Sequence, residues 1–149
     1  MSIIPVDDVE TLYRRIRHVE GLYVVQADRT VRVSSAAFSD PLFRPSVDRA
    51  ELFHNDPKKA QRDPSDGVVS IVVRDVRSID TVVQNDKAGK TIQTFDVDIE
   101  HVPILNHPTL PDNPAHAEIY TDPHCPNKSV FRKLANERPW EIELSSLSM

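Results

Sequence analysis

From His107 to Asp122 the chain reads His-Pro-Thr-Leu-Pro-Asp-Asn-Pro-Ala-His-Ala-Glu-Ile-Tyr-Thr-Asp, so imidazoles, carboxylates and a phenol crowd into one segment. An imidazole titrates near neutrality and can act as base, hydrogen-bond partner or metal ligand. On a strand, His116 and Glu118 project to one side because they are two apart. With His107 and Tyr120 they form the candidate binding set. His101, His107, His116, His124 and Cys125 are residue types that suit zinc, but their separations match none of the usual ligand spacings, so no metal is expected. Cys125 is the only cysteine, which rules out an internal disulfide, and with no base specified nearby it reads as an inert thiol.

His116-Ala117-Glu118 shares the His-x-Glu of zinc deaminases, in which a later Pro-Cys-x-x-Cys supplies two further ligands. With one cysteine in the chain that chemistry is excluded. A wider constellation runs through Arg14, then Ser34-Ser35 ahead of Phe38, then Glu118. It resembles the Arg–Ser–Glu pattern of ADP-ribosyltransferases. That resemblance implies NAD as cofactor, Arg14 or Arg15 as phosphate binder, Ser34 or Ser35 as ribose brace, and Glu118 as the residue that stabilises the oxocarbenium-like transition state. The chain departs from the pattern in having two serines where three small hydroxyl residues are usual, and His116 where a second Glu or Gln stands. The segments Leu-Tyr-Arg-Arg-Ile (12–16), Arg-Val-Ser-Ser-Ala-Ala-Phe (32–38), Ser-Val-Asp-Arg-Ala-Glu-Leu (46–52) and Asn-Pro-Ala-His-Ala-Glu-Ile (113–119), with Phe-Arg-Lys-Leu-Ala and Trp140 after them, resemble an uncharacterised family of small bacterial proteins. This second resemblance implies one intact domain and no particular activity.

The remaining chain must position these groups. Its 149 residues, 39% apolar and 28% charged, suit one domain spanning 1–149 with a core of its own. Twelve Pro against three Gly imply stiff connections. A net charge of −5 argues against a phosphate-tracking nucleic-acid surface. The start Met-Ser-Ile-Ile-Pro-Val-Asp-Asp has no basic or apolar leader region, and no run nears the ~18 apolar residues of a membrane span. A cytoplasmic protein that binds neither nucleic acid nor membrane is the expectation.

Asp7 with Glu10 three residues on, then Val9, Leu12, Tyr13 and Ile16, predicts a helix over 7–20 ended by Gly21. The rival strand would bury Arg14 beside Leu12 and Ile16, which is costly unless an anion awaits it. Residues 22–26 and 30–35 read as a hairpin. Ser46 can cap a helix over 47–53, and 55–66 reads as an exposed loop. Residues 67–74, a short β-branched run with one small polar residue, predict a central strand buried on both faces. Residues 76–83 read as either helix or strand, 85–90 as a turn, and 95–100 as a strand whose acids form a wet face. Half of the prolines fall in 102–126, an ordered loop interrupted by a strand over 115–120. Asn127 or Ser129 can cap a helix that buries Val130, Phe131 and Leu134 and ends at Pro139, followed by a strand over 140–144 and a frayed tail. The order α-β-β-α-β-β-β-α-β predicts an α+β domain, a mostly antiparallel sheet with helices packed on one face. The functional expectation is a binding or accessory module that recognises a protein partner or small ligand through the 102–126 loop, without a cofactor. The alternative is an ADP-ribosyltransferase-like enzyme using NAD.

Overall fold

The expected N-terminal helix is instead a strand, β1 (Thr11–Ile16), in a computed structural model that describes residues 5–17, 23–25, 30–38, 42–79, 82–125, 133–134 and 140–144. Only half of the exchange expected of a helix cap forms, because the Glu10 amide goes to the Asp7 main chain and not to its carboxylate. The Asp7 amide donates to Glu10 Oε2 at 2.7 Å and the Glu10 amide to the Asp7 carbonyl at 3.1 Å. It closes a single turn and no more. The Glu10 carboxylate then accepts Arg49 Nε at 2.8 Å and Nη2 at 2.7 Å in a buried bidentate pair that holds the chain extended. Leu12 and Tyr13 are both buried and, being adjacent on a strand, point to opposite faces, a demand that one helical stripe could not meet. Arg14 sits beside the aliphatics. Its guanidinium donates to the Ser46 and Ala37 carbonyls and lies 5.7 Å from the centre of the Phe38 ring.

The other strands are β2 (Tyr23–Val25), β3 (Thr30–Val33), β4 (Ser46–Arg49), β5 (Gly67–Val72), β6 (Val82–Asn85), β7 (Thr91–His101), β8 (His116–Asp122) and β9 (Trp140–Leu144). They pair antiparallel throughout, in the order β2-β3-β9-β5-β1-β4-β8-β7-β6. The antiparallel sheet matches the expectation; the helices on one face do not. Among the described residues, α-helix is confined to α1 (Val73–Arg77) and the pair Lys133 and Leu134. The domain is a mainly β fold, not α+β. Most of the helix expected over 127–139 lies outside the described residues.

The helix expected over 47–53 is β4 followed by a 3₁₀ turn, Ala50–Phe53. β1 and β8 flank β4 on both edges, so its backbone groups are taken up by ladders instead of a helix. His54 and Asn55, at φ 53 and 57, then turn the chain sharply. The strand expected over 67–74 stops at Val72, after which α1 begins, and the ambiguous stretch 76–83 falls partly in α1 and partly in β6.

Strand alternation sorts the core into two clusters. Leu12, Ile16, Val47, Val69, Ile71, Ala117 and Ile119 face the larger one, with the Phe38 and Trp140 rings tilted against each other at 5.2 Å between centres. The Trp140 indole N–H is satisfied by the Leu134 carbonyl at 2.9 Å. Tyr13 and Val68 face the smaller cluster, completed by Ala50, Phe53, Ala60 and Ala115. β5 is thus buried on both sides, as its composition predicts. The tip of the β6–β7 hairpin stands clear of both cores, with Ile92 56% exposed.

Candidate functional site

On the face of the smaller core, the register aligns Tyr13 with Asp48 and Asp48 with His116, while Ser46 stands opposite Glu118. A cleft of about 530 Å³ opens there, between β1, the starts of β4 and β8, and two loops. The segment 57–62 closes one side. Its shape comes from the buried Asp66 carboxylate, which accepts the amides of Arg62 and Asp63 at 3.2 and 3.1 Å and Arg15 Nη1 at 3.2 Å. Ile104, Pro111, Asp112 and Asn113 close the other side, so the proline-rich segment does line the cleft. Paired backbone bonds between Ile104 and Asn113, at 2.7 and 2.9 Å, pinch that loop into a fixed bend.

Charge in the cleft runs against that of the chain. Arg14, Arg15, Arg17, Lys59 and Arg62 line it, against Asp48 and Asp112, although net charge overall is −5. Asp48 accepts Asn113 Nδ2 at 2.8 Å. Burial pushes its carboxyl above the usual range, and the Asn113 bond with the positive charges of Arg62 and Arg14 offsets this only in part.

His116 lines the cleft. Its Nδ1 is 2.7 Å from the Val102 carbonyl, which can only accept, so Nδ1 carries the proton. In the neutral ring Nε2 is then an acceptor, and the Ser46 hydroxyl lies 3.1 Å away as its donor. Ser46 is exposed, and the Arg14 Nη1 bond at 2.5 Å to its carbonyl sets a positive charge beside it.

Of the candidate binding residues, His116 lines the cleft and the others do not. Glu118 and Tyr120 share its face but belong to a neighbouring cluster around Arg44, which donates to Glu118 Oε1 at 2.6 Å and to Glu100 Oε2 at 3.1 Å and covers the Tyr120 ring. His107 serves its own loop, with Nδ1 accepting the amides of Thr109 and Leu110 at 3.1 and 3.0 Å. Among the residues of the Arg–Ser–Glu pattern, Arg14 reaches the cleft, whereas Ser34 and Glu118 are outside its lining. The side chain of Ser35 lies outside the described ones. Cys125 is buried. No three His, Cys, Asp or Glu side chains gather as a metal site among the described residues.

Ser46, Asp48, Asn113, Lys59 and Arg62 carry no sequence motif. The signal present was two basic runs, Arg14-Arg15-Ile16-Arg17 and Lys58-Lys59-Ala60-Gln61-Arg62, in an acidic chain. They lie more than forty residues apart in sequence and meet only because β5 pairs with β1 and brings the 57–66 loop back over it. No protein-family model, curated protein or solved structure matches this chain.

Proposed function

We propose that this protein is a binding module for a small anionic molecule, held in the cleft between β1, β4 and β8. The observation that carries this reading is the excess of cations around one concavity of a chain whose net charge is −5: Arg14, Arg15, Arg17, Lys59 and Arg62 against Asp48, Asp112 and the Asp66 that pairs with Arg15. Like charges are not gathered without cost, and a ligand that brings negative charge removes the repulsion. The cleft has the size of ordinary small-molecule sites, about 300–1,000 Å³. The pinned 102–116 segment and the Asp66-centred loop arrive already ordered, which lowers the entropy lost on binding.

Thermal melting with inorganic pyrophosphate tests the proposal, because a ligand at 100 times its dissociation constant adds about 2.7 kcal/mol to stability. The expected outcome is a melting temperature that rises with pyrophosphate and saturates. An unchanged melting temperature up to millimolar pyrophosphate contradicts it. NAD serves as a second probe: a shift with NAD well beyond that with pyrophosphate means that the cleft takes a dinucleotide, with Arg14 at its phosphates, although Glu118 lies outside the lining.

A further inference from the structure

We infer that Ser46 and His116 form a nucleophile–base pair, and that the cleft hydrolyses carboxylic esters bearing a second, anionic group. The anionic part of this inference rests on the proposed binding function; the nucleophile rests on its own geometry. Three features separate this pair from a hydroxyl that merely satisfies an imidazole. Val102 holds Nδ1 through its carbonyl at 2.7 Å and so aims the Nε2 lone pair at the Ser46 hydroxyl, 3.1 Å away, as a third member orients the base in serine hydrolases. Ser46 is exposed on the cleft wall while His116 is only 9% exposed, so a substrate meets the hydroxyl and the base behind it stays sheltered. The Arg14 guanidinium, bonded to the Ser46 main-chain carbonyl, and Asp48, opposite His116 in the strand register, put a positive and a negative group near where the reaction creates an oxyanion and an imidazolium.

The chemistry closes without a further reactant except water. The Ser46 hydroxyl oxygen bonds to the ester carbonyl carbon as its proton passes to His116 Nε2. The tetrahedral adduct collapses, the carbon–alkoxy bond breaks, and the proton on Nε2 goes to the departing alcohol. Water then attacks the acyl-serine, giving a proton to Nε2. Loss of the serine oxygen releases the carboxylic acid, and that proton returns to Ser46.

A fluorophosphonate probe, which phosphonylates activated serines, tests the pair on the full chain. One adduct is expected per chain, mapped to Ser46 by peptide mass spectrometry, absent in Ser46→Ala and slowed at least a hundredfold in His116→Gln. Turnover of mono-p-nitrophenyl succinate is expected to exceed that of p-nitrophenyl acetate. Should either variant fold poorly, Ser46→Cys keeps the base, and its alkylation by iodoacetamide is expected to outpace that of a Ser46→Cys, His116→Gln double variant. The inference is overturned if no adduct forms, if it maps to another serine, or if His116→Gln reacts at the wild-type rate. Pyrophosphate binding without an adduct overturns the pair and leaves the binding function standing. An adduct without pyrophosphate binding supports the pair and overturns the anionic part.

Discussion

Asp48 shows what the cleft costs the fold. Its carboxyl is raised by burial, so the folded chain holds that proton more tightly than the unfolded one. Any stability gained by protonation is full below the unfolded value and lost as pH rises through the folded one, leaving the native state to carry a penalty at neutral pH. Asp48→Asn keeps a partner for Asn113 and removes the charge. We expect it to melt higher than wild type at pH 7, with the difference closing as the pH falls into the carboxylate range; a melting temperature below wild type at pH 7 counts against this account. Glu10 behaves in the opposite sense. Burial raises its carboxyl, but the Arg49 bonds and the Asp7 amide outweigh that and hold it below its ordinary value. It therefore stabilises the fold above the usual carboxylate range, and that contribution is lost as pH falls through the depressed value. Arg49→Ala leaves the buried carboxylate with the Asp7 amide but without its guanidinium, at about 3–5 kcal/mol in urea denaturation. Adding Glu10→Gln is expected to recover part of the loss. Of these residues the sequence made His116 legible, through its place among prolines, but not Asp48 or Ser46. Both lie on a strand whose four residues, Ser-Val-Asp-Arg, carry too little pattern to distinguish it from a helix start.

Among the elements, those read correctly were the ones whose pattern leaves no choice. β5 is a β-branched run, β7 alternates Phe95, Val97 and Ile99 with acids, and β9 alternates around Trp140, Ile142 and Leu144. β1 was not legible because Leu12, Tyr13 and Ile16 fit a helical stripe as well as a strand buried on two faces. What decides between them is distant: six register pairs with β5, and carbonyls from Ser46 and Ala37 that receive Arg14. The element scale predicts where the sheet bears load. Ile119 on β8 is fully buried between Ile99 and the main core, whereas Ile92 on the β6–β7 hairpin is 56% exposed. Ile119→Ala should lower unfolding free energy by about 2–5 kcal/mol. Ile92→Ala should change it by no more than about 0.5 kcal/mol. Urea midpoints measured side by side check the contrast, and equal losses would mean that the hairpin packs as the core does.

At the scale of the whole molecule, the sheet order puts the two basic runs on one cleft and the acids of β7 and β8 elsewhere on the same face. Glu100 and Glu118 are occupied by Arg44, and Asp98 accepts Arg77 Nε at 2.7 Å. The acidic surface is thus partly neutralised by arginines of its own, while the cleft keeps an excess of positive charge. No helix among the described residues is long and apolar enough to cross a membrane. The central claim is that this excess exists to hold an anion, and calorimetric titration of inorganic pyrophosphate into wild type and into the Lys59→Ala, Arg62→Ala double variant tests it most directly. Both side chains are exposed, so their removal should leave the fold intact. Wild type should bind saturably and one-to-one, more weakly as salt rises, and the double variant should bind at least tenfold more weakly. No saturable heat with wild type, or equal affinity in the two proteins, would contradict it.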